Sequence, residues 1–190
     1  MISVYRFMAT FLCLLLLQQL QTAGAPVAPL NSIATGIVIV DGVVNPQGRL
    51  SDVRVIYGMP GFIQPSLEAI KDWTFAPAQD SPRVSVTFLY RPRNVFSDGP
   101  FEVHLPNLGA AFPSHIVDPG YPLQSIAEGS VILQAHTNAR GVVEGIDVIR
   151  PVPSLTESGV QAVRRWTFTS GAAGTAIVVM SFLRPVLYPS

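Results

Sequence analysis

The feature that most constrains this chain is that it nearly repeats itself. Displacing the sequence by 93 residues lays 26–92 over 119–185 without a gap, with 21 of 67 positions identical. Pro29-Leu30 meets Pro122-Leu123, and Ser32-Ile33-Ala34 meets Ser125-Ile126-Ala127. Asn45 and Gly48 recur as Asn138 and Gly141, Trp73-Thr74-Phe75 as Trp166-Thr167-Phe168, and Arg91-Pro92 as Arg184-Pro185. A fixed period of this kind means one supersecondary unit used twice.

Each copy reads as strand, turn, strand, helix, strand. Ile37–Val44 is apolar and β-branched, and Asn45-Pro46-Gln47-Gly48 has turn chemistry at both ends. Leu50–Tyr57 alternates, with Val53, Val55 and Tyr57 opposing Asp52 and Arg54. Ile63, Leu67 and Ile70 then fall at helical spacing, with Trp73 extending the stripe and Glu68, Lys71 and Asp72 facing water. In the second copy Val160 and Val163 carry the stripe, and Ser154-x-x-Glu157 is a candidate capping box. The last strand alternates in the first copy. In the second, Ile177-Val178-Val179-Met180 is continuous, the pattern of a strand covered on both faces. The expected fold is α+β, with two tandem β-β-α-β modules, 26–92 and 119–185. A domain of ~60 residues buries only ~60% of its unfolded surface, so the modules are expected to pack as a pseudo-dimer.

The flanking segments read differently. Residues 1–25 have one charge, Arg6, an apolar run from Phe7 to Leu17, and small residues Ala23, Gly24 and Ala25. That is the layout of an export signal, with an uncleaved anchor as the alternative. The apolar run is short for a membrane span, which needs ~20 residues. Residues 93–118 form a linker that is too apolar for a free tether, with Phe96, Phe101, Leu105, Leu108 and Phe112. It is expected to lie along the modules, and Phe101–Leu105 is a candidate strand. The only cysteine, Cys13, lies in the apolar run, so a chain without that segment has no thiol.

Composition removes several functions. Twelve basic residues balance twelve acidic ones, which leaves no electrostatic footprint for nucleic acid. There is no Gly-rich phosphate loop, no Gly-x-Ser-x-Gly elbow and no His-Glu-x-x-His. No catalytic residue, cofactor or metal site is read from the sequence. His104, His115 and His136 have no compact ligand spacing, and two of them fall in the linker. Trp73 and Trp166 sit where an apolar helix face ends, so they read as core. Arg140, Arg150, Arg164 and Arg165 read as a solvated face.

The second copy carries Tyr121-Pro122, Ala127, Gly129-x-Val131, Gly141-x-Val143 and Ala162-x-x-x-Trp166-x-Phe168. The first carries Pro29, Ala34, Gly36-x-Val38, Gly48 and Ala69-x-x-x-Trp73-x-Phe75-x-Pro77. This ordered set resembles the TonB C-terminal domain family, the energy-transducer type, in two tandem copies. The resemblance makes Trp73, Phe75, Tyr121, Pro122, Trp166 and Phe168 structural motif residues. It implies an exported interaction module of the periplasm or cell envelope, membrane-held only through its N-terminal segment, and not an enzyme. The implied partner is a protein, such as an outer-membrane TonB-dependent transporter, bound as an extended segment by β-strand addition. The implied docking edge is the last strand of a copy, through the backbone at Val84, Val86 and Phe88 or at Ile177, Val179 and Ser181. The alternative is a structural pseudo-dimer whose copies occupy each other's edges. The chain departs from that family in having no long spacer ahead of the first copy, in Ala28 for the first Tyr, and in Ser170 for the second Pro.

Overall fold

The computed structural model describes residues 20–27, 35–78, 80–93, 99–109, 111–171 and 173–184. The charged and apolar parts of the export-signal reading, the Pro29 start of the first module and Pro185 lie outside them. Among the described residues the fold is α+β, mostly strands with two helices.

In the first half, β1 (Leu20–Thr22) precedes the hairpin β2 (Gly36–Val44) and β3 (Leu50–Gly58). Helix α1 (Pro60–Ile70), β4 (Thr74–Phe75) and β5 (Arg83–Pro92) follow. A hairpin of β6 (Phe101–His104) and β7 (Pro113–Asp118) leads into the second half. That half runs β8 (Gly129–Thr137), β9 (Val143–Arg150), α2 (Thr156–Val163), β10 (Thr167–Phe168) and β11 (Gly174–Leu183). The main sheet has six strands in the order β3-β2-β5-β11-β8-β9, which reads alike from either margin. Every neighbouring pair is antiparallel except the central one: β5 and β11 run parallel, from Ser85 beside Ala176 to Pro92 beside Leu183.

Alternation along these strands distributes side chains to two separate cores. Val38, Val40, Val86, Phe88, Ile177 and Val179 pack with Phe62 and Ile70 of α1 and with Trp73. Their sequence neighbours Ile37, Ile39, Leu89, Val178 and Met180 pack with Ala162 and Val163 of α2 and with Trp166. Since neighbours in a strand point to opposite faces, the helices lie on opposite faces of the sheet. A sheet covered on both sides needs apolar runs rather than alternation. β11 meets that need with its run from Ala176 to Met180, whereas β5 keeps Ser85 and Thr87 between its apolar residues; even so, every residue from Val84 to Pro92 and from Ala176 to Phe182 is buried.

The hydrogen bonds repeat at the sequence period. Gly48 N–H donates to the Asn45 carbonyl at 2.8 Å, and Gly141 N–H to the Asn138 carbonyl at 2.9 Å. Each asparagine side-chain oxygen accepts two further backbone N–H groups, from Gln47 and Arg49 or from Arg140 and Val142. Phe75 N–H reaches the Gly48 carbonyl and Phe168 N–H the Gly141 carbonyl, both at 2.8 Å. Gly48 has φ +73° and Gly141 φ +80°, where an L side chain is strained.

The same displacement extends into segments without sequence identity. β1 pairs with β4, placing Leu20 opposite Phe75, and β7 pairs with β10, placing Pro113 opposite Phe168. The Trp73 indole N–H donates to the Gly24 carbonyl at 3.0 Å, and that of Trp166 to the Val117 carbonyl at 2.8 Å. Each half therefore has a strap lying against its tryptophan, 20–25 in the first and 113–118 in the second. The first strap lies within the segment read as an export signal. Leu20 is only 2% exposed, and its N–H donates to the Gln134 side chain in the second half. The second strap lies within the segment read as linker, where Leu105, Leu108 and Phe112 also pack against the α2 core.

Four local readings are corrected. Phe62 rather than Ile63 begins the buried stripe of α1, packing at a tilt against Tyr90 with ring centroids 4.6 Å apart. The alternation of β3 is broken by two register shifts, one near Asp52 (φ +49°) and one between Val55 and Tyr57, and Val55 is 38% exposed. Ser154 does not cap α2; its hydroxyl bonds Ser125, while Thr156 Oγ1 bonds both backbone groups of Val152. The repeat also loses one residue before its last strand. Gly36 pairs with Tyr90 and Gly129 with Phe182, so the displacement there is 92. Arg91 and Arg184 are consequently not equivalent: the first is buried, the second exposed.

Candidate functional site

A strand-addition site needs a sheet margin whose backbone groups are free. The residues expected to form it lie elsewhere. Val84, Val86 and Phe88 pair with β2, and from Ser85 onward their strand also pairs with β11. Ile177, Val179 and Ser181 stand between β5 and β8. This corrects the edge reading: β5 and β11 are the innermost strands, each supplying the other's missing neighbour. Val84, Val86, Phe88, Ile177, Val179 and Ser181 are each at most 1% exposed.

The margins of the six-stranded sheet are β3 and β9. Among the described residues neither has a second neighbour along its length. Val55 and Val148, equivalent under the repeat, are 38% and 44% exposed there. Both margins are bulged, and both carry charge: Asp52 and Arg54 on one, Glu144, Asp147 and Arg150 on the other. Arg54 and Arg83 converge on the buried Asp41 carboxylate, Arg54 at 2.9 Å, which ties β3 to β2 and β5. Such features limit promiscuous pairing and leave short free stretches.

Strap and helix enclose one groove in each half. Gly24, Ala25, Pro65, Glu68, Ala69 and Asp72 line the first. Val117, Asp118, Ser158, Gln161, Ala162 and Arg165 occupy the same repeat positions in the second. The charges differ: Glu68 and Asp72 rim one groove, Arg164 and Arg165 the other. Lys71 donates to Glu68 at 2.6 Å and holds that carboxyl below its usual range.

Behind the second groove lies a buried ion pair. Arg91 Nε is 3.6 Å from Asp118 Oδ1, with both side chains almost wholly enclosed. Burial pushes the Asp118 carboxyl up, opposed by the Gly120 N–H at 2.7 Å and by Arg91. Tyr90 is pushed up to about 12 by burial, against its hydrogen bond with Ser66.

The motif residues of the resemblance are core. Trp73, Phe75, Tyr121, Trp166 and Phe168 are each at most 4% exposed. Pro122 is half-buried beside Tyr121, whose hydroxyl donates to the Ala127 carbonyl. His136, by contrast, faces Asp147 across β8 and β9 at 2.7 Å.

Sequence spacing did not reveal that His104 and His115 meet. They are directly opposed in the β6–β7 hairpin, with ring centroids 4.7 Å apart. Glu102, two residues before His104 on the same face, reaches His115 Nε2 at 3.2 Å. The available signal was two histidines flanking a turn-rich segment, Pro106–Gly109.

No helix among the described residues is long and apolar enough to cross a membrane. Residues 32–94 match the family model described as Gram-negative bacterial TonB protein C-terminal. The chain matches no curated protein and no solved structure.

Proposed function

We propose that this chain is an exported, two-module protein-interaction unit of the TonB C-terminal type. Its modules close on each other through their last strands, and it meets an envelope protein at the outer margins β3 and β9. The match over residues 32–94 supports a TonB-like interaction domain in the first half. The second half is read as another copy because it repeats the first half's turns, its Trp-x-Phe and its strap hydrogen bonds. The observation that carries the proposal is the parallel β5–β11 pairing, which fills the strand positions a bound segment would otherwise take. An extended segment of an outer-membrane transport protein is then directed to the margins, where backbone groups supply affinity and Val55 or Val148 gives apolar contact. The periplasm or envelope is the compartment that fits such a partner.

Site-specific crosslinking tests this. A photoreactive group on Val55→Cys or Val148→Cys should attach to one envelope protein. The same group on Leu123→Cys, a position 84% exposed and away from the margins, should not. Adducts from Leu123→Cys alone, or from neither margin, would remove the proposal. The bulges and charges of β3 and β9 favour one competing reading, an envelope scaffold that takes no extended segment.

A further inference from the structure

We infer that Glu102, His104 and His115 form a binding site for a divalent transition metal, with Zn²⁺ as the ion that best suits the donors. Two imidazoles and a carboxylate are the donor set that Zn²⁺ uses where three protein ligands leave a further position to water. One ligand atom from each of the three residues can be chosen so that all lie within 4.8 Å of one another. Atoms bound to one tetrahedral Zn²⁺ stand roughly 3.3 Å apart, given bonds of about 2 Å. Side-chain rotation alone closes the difference, because the backbone already holds the residues in place. His104 and His115 are a direct cross-strand pair, and Glu102 shares their face two residues earlier. Opposed residues of an antiparallel pair have Cβ atoms roughly 5 Å apart, a span two imidazoles can bridge to one ion.

The surroundings fit a site open to solvent. Glu102 and His104 are exposed and His115 is half-buried, so an ion can enter and keep water ligands. Arg165, at the end of α2, donates to Glu102 Oε1 at 2.5 Å. That contact leaves Oε2 turned toward His115, and it also places a competing positive charge beside the ion. The hairpin joins the two halves, and β7 is the strap against Trp166. Metal binding would therefore fasten the connecting segment to the second half without touching β3 or β9.

The test uses the full protein without a histidine tag, freed of metal by chelation and titrated calorimetrically with Zn²⁺. One ion should bind, and His104→Ala or His115→Ala should each weaken binding by about tenfold or more, the scale on which zinc sites respond to lost support. Arg165→Ala should tighten binding several-fold by removing the competing cation. His136→Ala, at the separate pair with Asp147, should change nothing. Circular dichroism of each variant distinguishes lost ligands from lost fold, and imidazole NMR shifts on Zn²⁺ addition report His104 and His115 directly. Absence of binding, binding unmoved by both histidine variants, or binding abolished by His136→Ala would overturn the assignment.

Discussion

Replacing Gly48 or Gly141 by alanine tests whether the halves share one sheet. Both glycines hold a left-handed backbone, at φ +73° and +80°. A Cβ at either position would fall inside van der Waals contact of a backbone carbonyl oxygen, that of Phe75 or of Phe168. Backbone cannot swing aside as a flexible side chain would. The left-handed conformation costs an L residue roughly 1–2 kcal/mol. Displacing Phe75 also breaks its 2.8 Å N–H bond to the Gly48 carbonyl, worth about 1 kcal/mol. Alanine returns roughly 0.5 kcal/mol by restricting the unfolded chain. The net loss is about 2 kcal/mol per site, which for a chain of this size lowers Tm by about 4–8 °C. Gly61→Ala, in the first turn of α1 with nothing near its Cβ position, is the control and should not lower Tm. In scanning calorimetry, Gly48→Ala and Gly141→Ala should each move one shared transition, because β5 and β11 join the halves. Two transitions, with each substitution moving only its own, would refute that reasoning, as would an unchanged Tm.

Two further outcomes are expected. A variant beginning at Pro26 lacks β1 and the Gly24 carbonyl that accepts the Trp73 indole N–H. Beside a variant beginning at Gln19, it should show red-shifted tryptophan emission and a lower urea midpoint; coincident spectra and midpoints would show that β1 carries no weight. For Asp118, burial raises the folded carboxyl above its ordinary ~3.9, so the native state holds that proton more tightly than the unfolded chain. Its contribution to stability is then full below about pH 4 and is lost as pH rises through the raised value. The difference in urea midpoint between the native protein and Asp118→Asn should therefore fall over that interval and level off above it, and a rising difference would show the sign to be reversed.

What could be read from the sequence was what local chemistry dictates. Asn45-x-x-Gly48 and Asn138-x-x-Gly141 announce their turns because the asparagine side chain and the glycine φ make them. Trp73 and Trp166 announce a core position because an indole can end an apolar face and still satisfy its N–H. Residues 20–25 share no identity with 113–118, since a strap needs only a carbonyl at one point and strand-like backbone at another. The last strand was read one residue out of step for a related reason. Arg91-Pro92 and Arg184-Pro185 look equivalent, yet the pairings of Tyr90 and Phe182 set a different register. A one-residue shift turns every side chain to the other face, and β11 from Ala176 to Met180 is apolar on both faces, so its pattern cannot reveal the shift. Edge and centre were equally hard to separate. Val179 reads alike whether its next neighbour is a foreign segment or β5. His104 and His115 met only through the hairpin register, which depends on loop geometry rather than on spacing.

The parallel β5–β11 seam has a consequence for assembly. Each half presents to the other a contact that a second chain's corresponding half could present equally well, since the strands and their order would be the same. The segment 93–112 connects the halves and so sets their concentration relative to each other; shortening it until β11 cannot return beside β5 would pass that role to another molecule. The product would be an exchanged dimer with two six-stranded sheets, each drawn from two chains, formed through interactions the monomer already contains.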